Sequence, residues 1–450
     1  MTLPRKPLSV AVRTFLALAL PLAIAACGGG GGGGGDPTPL PPAPPAPPGP
    51  PVVRGLTNFQ RASVAIGQAN LESGAPNQGS GASAQSFVGP TGLALTPDGA
   101  LLVADPGNNR ILFFPATPTA SGQSATDVMG QASPQSTAPS NSQNGLNRPF
   151  GMAIGAGKLA VADRANHRVL IYNELPRQGA MPTPAVVIGQ SDFGLSEAGC
   201  GGLALREPES VAITPLGKLI IADTGNNRVL IWDSIPQTQA AVGAPNVVLG
   251  QGDVDHCTPN DDLPQDGLED FDPGSGRPLP SDQTLSGPAD VWSNDDMLIV
   301  ADRQNHRVLI WTSFPQENFE SASRVLGHST FTDGDQNSEQ DGEESVIGPK
   351  AGTLSGPSGV HFDGISLAVA DSGNHRVLVW KTFPLADFQS ADIVLGHADF
   401  NRGITNDQDG DEATDTPTSQ VFYGPARVLL TPDALFVSDR FHNRVLVFRR

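Results

Sequence analysis

Two short motifs alternate along this chain, six times each, and they constrain its fold more than any other feature. The first is an apolar residue and Ala followed by Asp-x-x-Asn-(Asn/His)-Arg and an apolar run. It occurs at Asp105–Arg110, Asp163–Arg168, Asp223–Arg228, Asp302–Arg307, Asp371–Arg376 and Asp439–Arg444. The last copy departs, with Ser438 in place of Ala and His442 in place of Asn. A Gly/Pro-marked apolar run lies upstream of each copy, such as Gly89-Pro90-Thr91-Gly92-Leu93 or Gly356-Pro357-Ser358-Gly359-Val360. The second motif, apolar-apolar-Gly-(Gln/His), ends at Gln68, Gln131, Gln190, Gln251, His328 and His397. Short apolar runs punctuated by turn residues at a long, regular period mean an all-β chain built from repeats.

Each unit reads as four short antiparallel strands. In the third they fall at Ser210–Thr214, Lys218–Ala222, Arg228–Trp232 and Asn246–Gln251. The chain begins with the second motif and ends with the first. The last unit, finishing at Arg450, therefore lacks a fourth strand, and Ser63–Gln68 is one to spare. A closed ring whose first strand completes its last blade satisfies both facts and leaves no open sheet edge. The Asp-x-x-Asn-x-Arg turn with its upstream Gly-Pro-x-Gly-apolar run resembles the NHL repeat, over residues 62–450. The resemblance implies a six-bladed β-propeller with four-stranded blades.

Six identical catalytic sites have no evident use, whereas a scaffold needs the same residues in every blade, so the Asp and Arg of each copy are read as structural. The turn Asn suits a left-handed backbone and local side-chain-to-backbone bonds, and the Arg can reach back to the Asp. His167, His306 and His375 share one turn position, but Asn109, Asn227 and Asn443 fill it in the other blades, which argues against a ring of metal ligands. Strand polarity puts the six Asp…Arg turns and all inter-blade loops on one face. Pro115, Pro176, Pro236, Pro315 and Pro384 mark the other.

The last three inter-blade loops are the longest and hold eight, six and five acidic residues, at Asp253–Pro273, Asp333–Glu344 and Asp407–Asp415. Together they equal the formal net charge of −19, so one sector of the turn-bearing face is expected to be acidic. That charge disfavours nucleic acid as a partner. Asp333, Asp335, Asn337 and Glu344 have the spacing of a calcium loop, with Ser338 where the turn Gly belongs, and Asp407–Glu412 is a looser case. Calcium is the one cofactor the sequence suggests. Cys200 and Cys257 follow the fourth strands of adjacent units on the same face, and an exported chain would join them in a disulfide.

Residues 1–26 read as a signal peptide, with Arg5, Lys6 and Arg13 ahead of an apolar stretch too short to span a bilayer comfortably. It ends Ile24-Ala25-Ala26-Cys27, which resembles the lipobox of bacterial lipoproteins and makes Cys27 the lipidation site. Residues 27–61, with eight glycines and then a Pro-rich run, read as a disordered tether. The expected location is the cell envelope, at the outer membrane if the cell is Gram-negative, with the lipid anchor the sole membrane contact. No Gly-x-Ser-x-Gly, His-Glu-x-x-His or phosphate-binding glycine loop occurs, so an enzyme is not indicated. The leading reading is a monomeric binding or scaffold protein that recognises a protein, peptide or glycan through its loop-rich face. The second is a metal-dependent hydrolase or lyase acting at the central tunnel.

Overall fold

The computed structural model describes residues 55–262, 268–271, 279–338, 348–407, 409, 411 and 414–450. Its strands form six four-stranded antiparallel sheets. Blade 1 comprises Leu93–Leu95, Leu101–Asp105, Arg110–Phe114 and Asp127–Met129. Blade 2 comprises Pro149–Gly155, Lys158–Asp163, Arg168–Tyr172 and Val186–Ile188. Blade 3 follows with Ser210–Ile213, Leu219–Asp223, Arg228–Trp232 and Val247–Leu249, within two residues of the sequence reading at each end. Blade 4 has Pro288–Ser293, Leu298–Asp302, Arg307–Trp311 and Arg324–Leu326; blade 5 has Pro357–Phe362, Leu367–Asp371, Arg376–Trp380 and Ile393–Leu395.

Blade 6 takes Pro425–Leu430, Ala434–Asp439 and Arg444–Arg449 from the C-terminal end of the chain and Val64–Ile66 from its other end. Val64 pairs with Val447, Ala65 with Leu446 and Ile66 with Val445. The ring therefore closes as the motif count requires.

The middle strands read Arg-Val-Leu-Ile-Trp or close to it, with no polar alternation, because each sheet is covered on both faces by its neighbours. Every residue of Arg228–Trp232 and Arg307–Trp311 is buried. The core is accordingly a series of packets between blades. Ile220, Val229 and Leu249 of blade 3 meet Val300, Leu309 and Trp311 of blade 4. Val64, Ile66 and Phe436 of blade 6 meet Leu101, Val103 and Leu112 of blade 1.

Residues 55–61, placed in the tether by the sequence reading, pack on the ring. Leu56 is buried, the Phe59 N–H donates to the Val394 carbonyl at 2.9 Å, and the Val394 N–H donates to Asn58 Oδ1 at 2.9 Å. Asn318-Phe319 binds Val248, and Asp387-Phe388 binds Val325, in the same way. Each pair latches the outermost strand of the preceding blade, and the three phenylalanines share a left-handed backbone with φ of 51, 57 and 54°. Asn58 to Gln68 is thus repeat sequence, parallel to Asn318–His328 and Asp387–His397. Residues 1–54, with the signal peptide and Cys27, lie outside the described residues.

Candidate functional site

The repeated motif is interior. In all six blades Arg Nε donates to the Asp Oδ2 five residues earlier at 2.7–2.8 Å, with both side chains fully buried. Blade 5 illustrates the rest. Asp371 Oδ2 also accepts from Asn374 Nδ2 at 2.7 Å, and Oδ1 accepts from the Ser355 N–H at 2.7 Å. Arg376 Nη2 donates to the Lys350 and Thr353 carbonyls of the inter-blade loop. A buried ion pair is tolerable only when every remaining donor and acceptor is met, and here the loop backbone meets them. In blade 6, His442 Nδ1 takes the place of the Asn amide on Asp439, at 2.8 Å. The second motif closes the same corner: Gln190 Nε2 bonds the His167 and Glu197 carbonyls, and His397 Nε2 lies 2.9 Å from the Asn374 carbonyl.

The Asn/His position that ends each turn joins neighbouring blades. Asn109, His167, Asn227, His306, His375 and Asn443 all have a left-handed backbone, with φ between 51 and 55°. Their side chains accept a hydrogen bond from the next blade around the ring. Asn109 takes the Arg148 N–H, His167 that of Glu207, and Asn227 that of Gly287. His306 takes the Gly356 N–H, His375 that of Gly424, and Asn443 that of Gly89. Asn Oδ1 and unprotonated His Nδ1 are interchangeable in this role, which is why the two residues alternate.

These stitches titrate. Burial holds the pKa of His167, His306 and His375 below the ordinary imidazole value. The unfolded chain takes up protons near pH 6.5 that the folded ring resists. Stability is therefore full above about pH 6.5 and declines as pH falls toward the lower folded values. Changing all three histidines to Asn should keep the stitches and flatten the melting temperature between about pH 7 and 5. His361 and His397, pushed by burial to about 4, retain part of the slope. A triple variant as acid-sensitive as the parent would show that the stitches do not titrate.

On the same face Cys200 and Cys257 form a disulfide across adjacent blades. Three of the calcium-loop residues, Asp333, Asp335 and Asn337, lie among the described residues. Asn337 Nδ2 donates to Asn374 Oδ1 at 2.9 Å and Asn374 Nδ2 returns the bond at 2.8 Å. Asn77–Asn108 and Asn260–Asn305 form the same reciprocal pair, so Asn337 belongs to the scaffold. Asp333 is buried, its Oδ1 accepting from the Asp335 N–H and its Oδ2 3.6 Å from His328 Nδ1. Glu344 lies outside the described residues. Among the described residues, the one acidic or His grouping with ligand-like separations is Asp407, Asp409 and Asp411.

The axis holds what the repeat pattern conceals. Position for position, the inner strands present Gly92, Gly151, Ser210, Asp290, Gly359 and Arg427. Arg427 crosses the channel. Its Nη2 donates to the Glu209 carbonyl of blade 3 at 3.0 Å and the Ala289 carbonyl of blade 4 at 2.7 Å. Its Nη1 donates to the carbonyls of Ser358 in blade 5 and Ala426 in its own blade. Nε lies 3.5 Å from Asp290 Oδ1, and the guanidinium sits 5.5 Å from the Phe150 ring of blade 2. Asp290 in turn accepts from Ser210 Oγ at 2.6 Å and from the Val360 N–H at 2.9 Å. One side chain thus ties five blades together. The cavity along the inner strands measures about 260 Å³, below the usual ~300–1,000 Å³ of small-molecule sites. His361 lines it, accepting from the Leu430 N–H and meeting Trp292 edge-on.

At the turn-bearing mouth of the axis, the acids are already paired with bases. Glu209 is buried, and its carboxylate lies 3.2 Å from Arg164 Nε and 2.7 Å from Arg303 Nη1. Burial works against its ionisation, but Arg303, Arg427 and Arg164 outweigh that and hold its pKa low. Glu207 pairs with Arg164. Arg164 and Arg440 also flank Phe150, at 5.6 and 5.3 Å from the ring centre. The tunnel mouth that the second sequence reading would use for a metal is thus lined by guanidinium groups.

These features define a six-bladed β-propeller. The NHL repeat model matches residues 205–232, the first three strands of blade 3 and the five residues before them. No curated protein matches the chain. Solved structures resemble it at the level of fold. A protein of unknown function from Bacteroides thetaiotaomicron VPI-5482 is 10% identical, with a TM-score of 0.46, over 87% of this chain and 75% of that one. Kuenenia stuttgartiensis hydrazine synthase is 15% identical, with a TM-score of 0.43, over 83% and 98%. Staphylococcus aureus virginiamycin B lyase is 11% identical, with a TM-score of 0.40, over 82% and 97%. Likenesses this distant say nothing of activity.

Proposed function

We propose that this chain is an envelope-anchored binding or scaffold protein that recognises a protein, peptide or glycan through its turn-bearing face. One observation carries the reading. The residues common to all blades are buried in the ring, whereas the exposed residues of the turns and inter-blade loops differ from blade to blade. A rigid ring presenting variable loops is the arrangement of a recognition surface. Propellers with NHL repeats commonly serve as protein-binding or scaffolding platforms, and the match at residues 205–232 supports that use here. The disulfide supports an oxidising compartment, in line with the lipobox that ends at Cys27.

The test is affinity capture with the full chain from solubilised envelope, read by mass spectrometry. Retention should be lost on Tyr423→Ala with Phe441→Ala, both exposed on the turn-bearing face, and kept on Leu216→Ala with Ile365→Ala, exposed on the opposite face. The reverse pattern, or no retained species, would sink the proposal.

A further inference from the structure

The turn-bearing mouth of the axis is basic in a chain whose formal net charge is −19. The first residue after the turn Asp is Pro106, Arg164, Thr224, Arg303, Ser372 and Arg440 in the six blades, so arginines come from alternate blades. They converge: Arg164 and Arg303 share Glu209, and Arg164 and Arg440 share the Phe150 ring. Ion pairs account for Arg164 and Arg303. Arg440 has none among the described residues; its guanidinium contacts are the rings of Phe150 and, at 5.2 Å, Phe441. Arg148 lies close enough to add to the positive charge around Arg440. Burial pulls the pKa of Arg440 below the ordinary guanidinium value; Glu209 opposes this, while Arg164, Arg303 and Arg148 add to it.

Beside Arg440 lies an aromatic ledge. Tyr423 and Phe441 are both exposed, at 41% and 50%, and their rings are 4.9 Å apart. Around this centre the inter-blade loops present exposed carboxylates, among them Asp253, Asp255, Asp409 and Asp411.

Building on the binding role proposed above, we infer that this mouth seats one carboxylate of a peptide ligand, held by Arg440, with an apolar or aromatic residue on the Tyr423–Phe441 ledge and basic residues flanking toward the acidic loops. A guanidinium fork matches carboxylate geometry, and Arg with exposed aromatics is the usual make-up of an interface anchor. The acidic surroundings select against the alternative occupant. A polyanion such as an acidic glycan would place most of its charges against like charge, whereas a lone carboxylate between basic residues is complementary to both zones.

The experiment is selection of a random displayed peptide library on the full chain, followed by titration of the best synthetic peptide. Enriched peptides should carry a single Asp or Glu with Lys or Arg nearby. Affinity should fall about tenfold or more on Arg440→Gln, and equally when the peptide's acid is changed to its amide. Phe441→Ala, at an exposed position, should weaken binding less. If Arg440→Gln lowers the melting temperature, the acid-to-amide change in the peptide decides by itself. Enriched peptides without an acid, or binding indifferent to both charge changes, would overturn the inference and leave the face-binding role standing. Absence of enrichment would likewise overturn the inference. Displacement of the peptide by polygalacturonate at lower carboxylate concentration than by the free peptide would assign the site to an acidic glycan.

Discussion

Replacing Arg427 with Met should cost the ring about 3–5 kcal/mol, the usual penalty for leaving the partner of a buried ion pair alone. The change orphans Asp290 and the carbonyls of Glu209, Ala289 and Ser358, which meet at this one guanidinium. The loss should depend on pH in a characteristic direction. Burial already raises the pKa of Asp290, with Arg427 opposing it. Without the guanidinium that pKa rises further, and the folded state binds a proton still more tightly relative to the unfolded chain. Stability then falls as pH rises through the raised pKa, so the deficit is larger at about pH 8 than at pH 5. Adding Asp290→Asn should recover part of the loss, making the double variant less than additive. Denaturant midpoints for the four proteins check this. A single variant within about 1 kcal/mol of the parent would mean that the axis is a passive contact.

Shortening the chain to start at residue 70 should be at least as damaging. It removes Val64 and Ile66, both buried between blades 6 and 1, which at about 1.5–3 kcal/mol each is roughly 3–6 kcal/mol of apolar burial. It also exposes the edge of Arg444–Arg449, an invitation to pair with another chain. The expected outcome is a lower melting temperature with association on size exclusion. Both should be corrected by adding a peptide of residues 55–69, which carries the closing strand and the Asn58-Phe59 latch. A shortened chain that stays monomeric and equally stable would mean that blade 6 does not need its fourth strand.

The motifs were legible because each is repeated. Six copies of Asp…Arg and six of Gly-(Gln/His), out of step by one, state both the blade number and the closing strand. Cys200 and Cys257 each follow the fourth strand of adjacent units, and they bond. The latch was equally legible and was missed. Asn58-Phe59-Gln60 matches Asn318-Phe319-Glu320, but the Pro-rich run just before it drew the tether boundary too late. Asn337 carries a repeat signal of its own. Its neighbours spell a calcium loop, yet its amide is the third copy of a pair already formed by Asn77 and Asn260.

The sequence by itself determined the ring: its strands, its blade count, its closure and the face on which turns and loops gather. Each of these rests on neighbours in the chain or on a pattern that recurs at a period. The axis was decided only by tertiary structure. Arg427 and Glu209 are 218 residues apart; Glu209 is the one charged residue in its column of the repeat and Arg427 the one basic residue in its own. Nothing local marks them, because their partners are the backbones of other blades. A closed ring brings six distant inner strands to one line, and the charges that meet there, with the Arg440 guanidinium against Phe150, exist as a site only once the ring has closed.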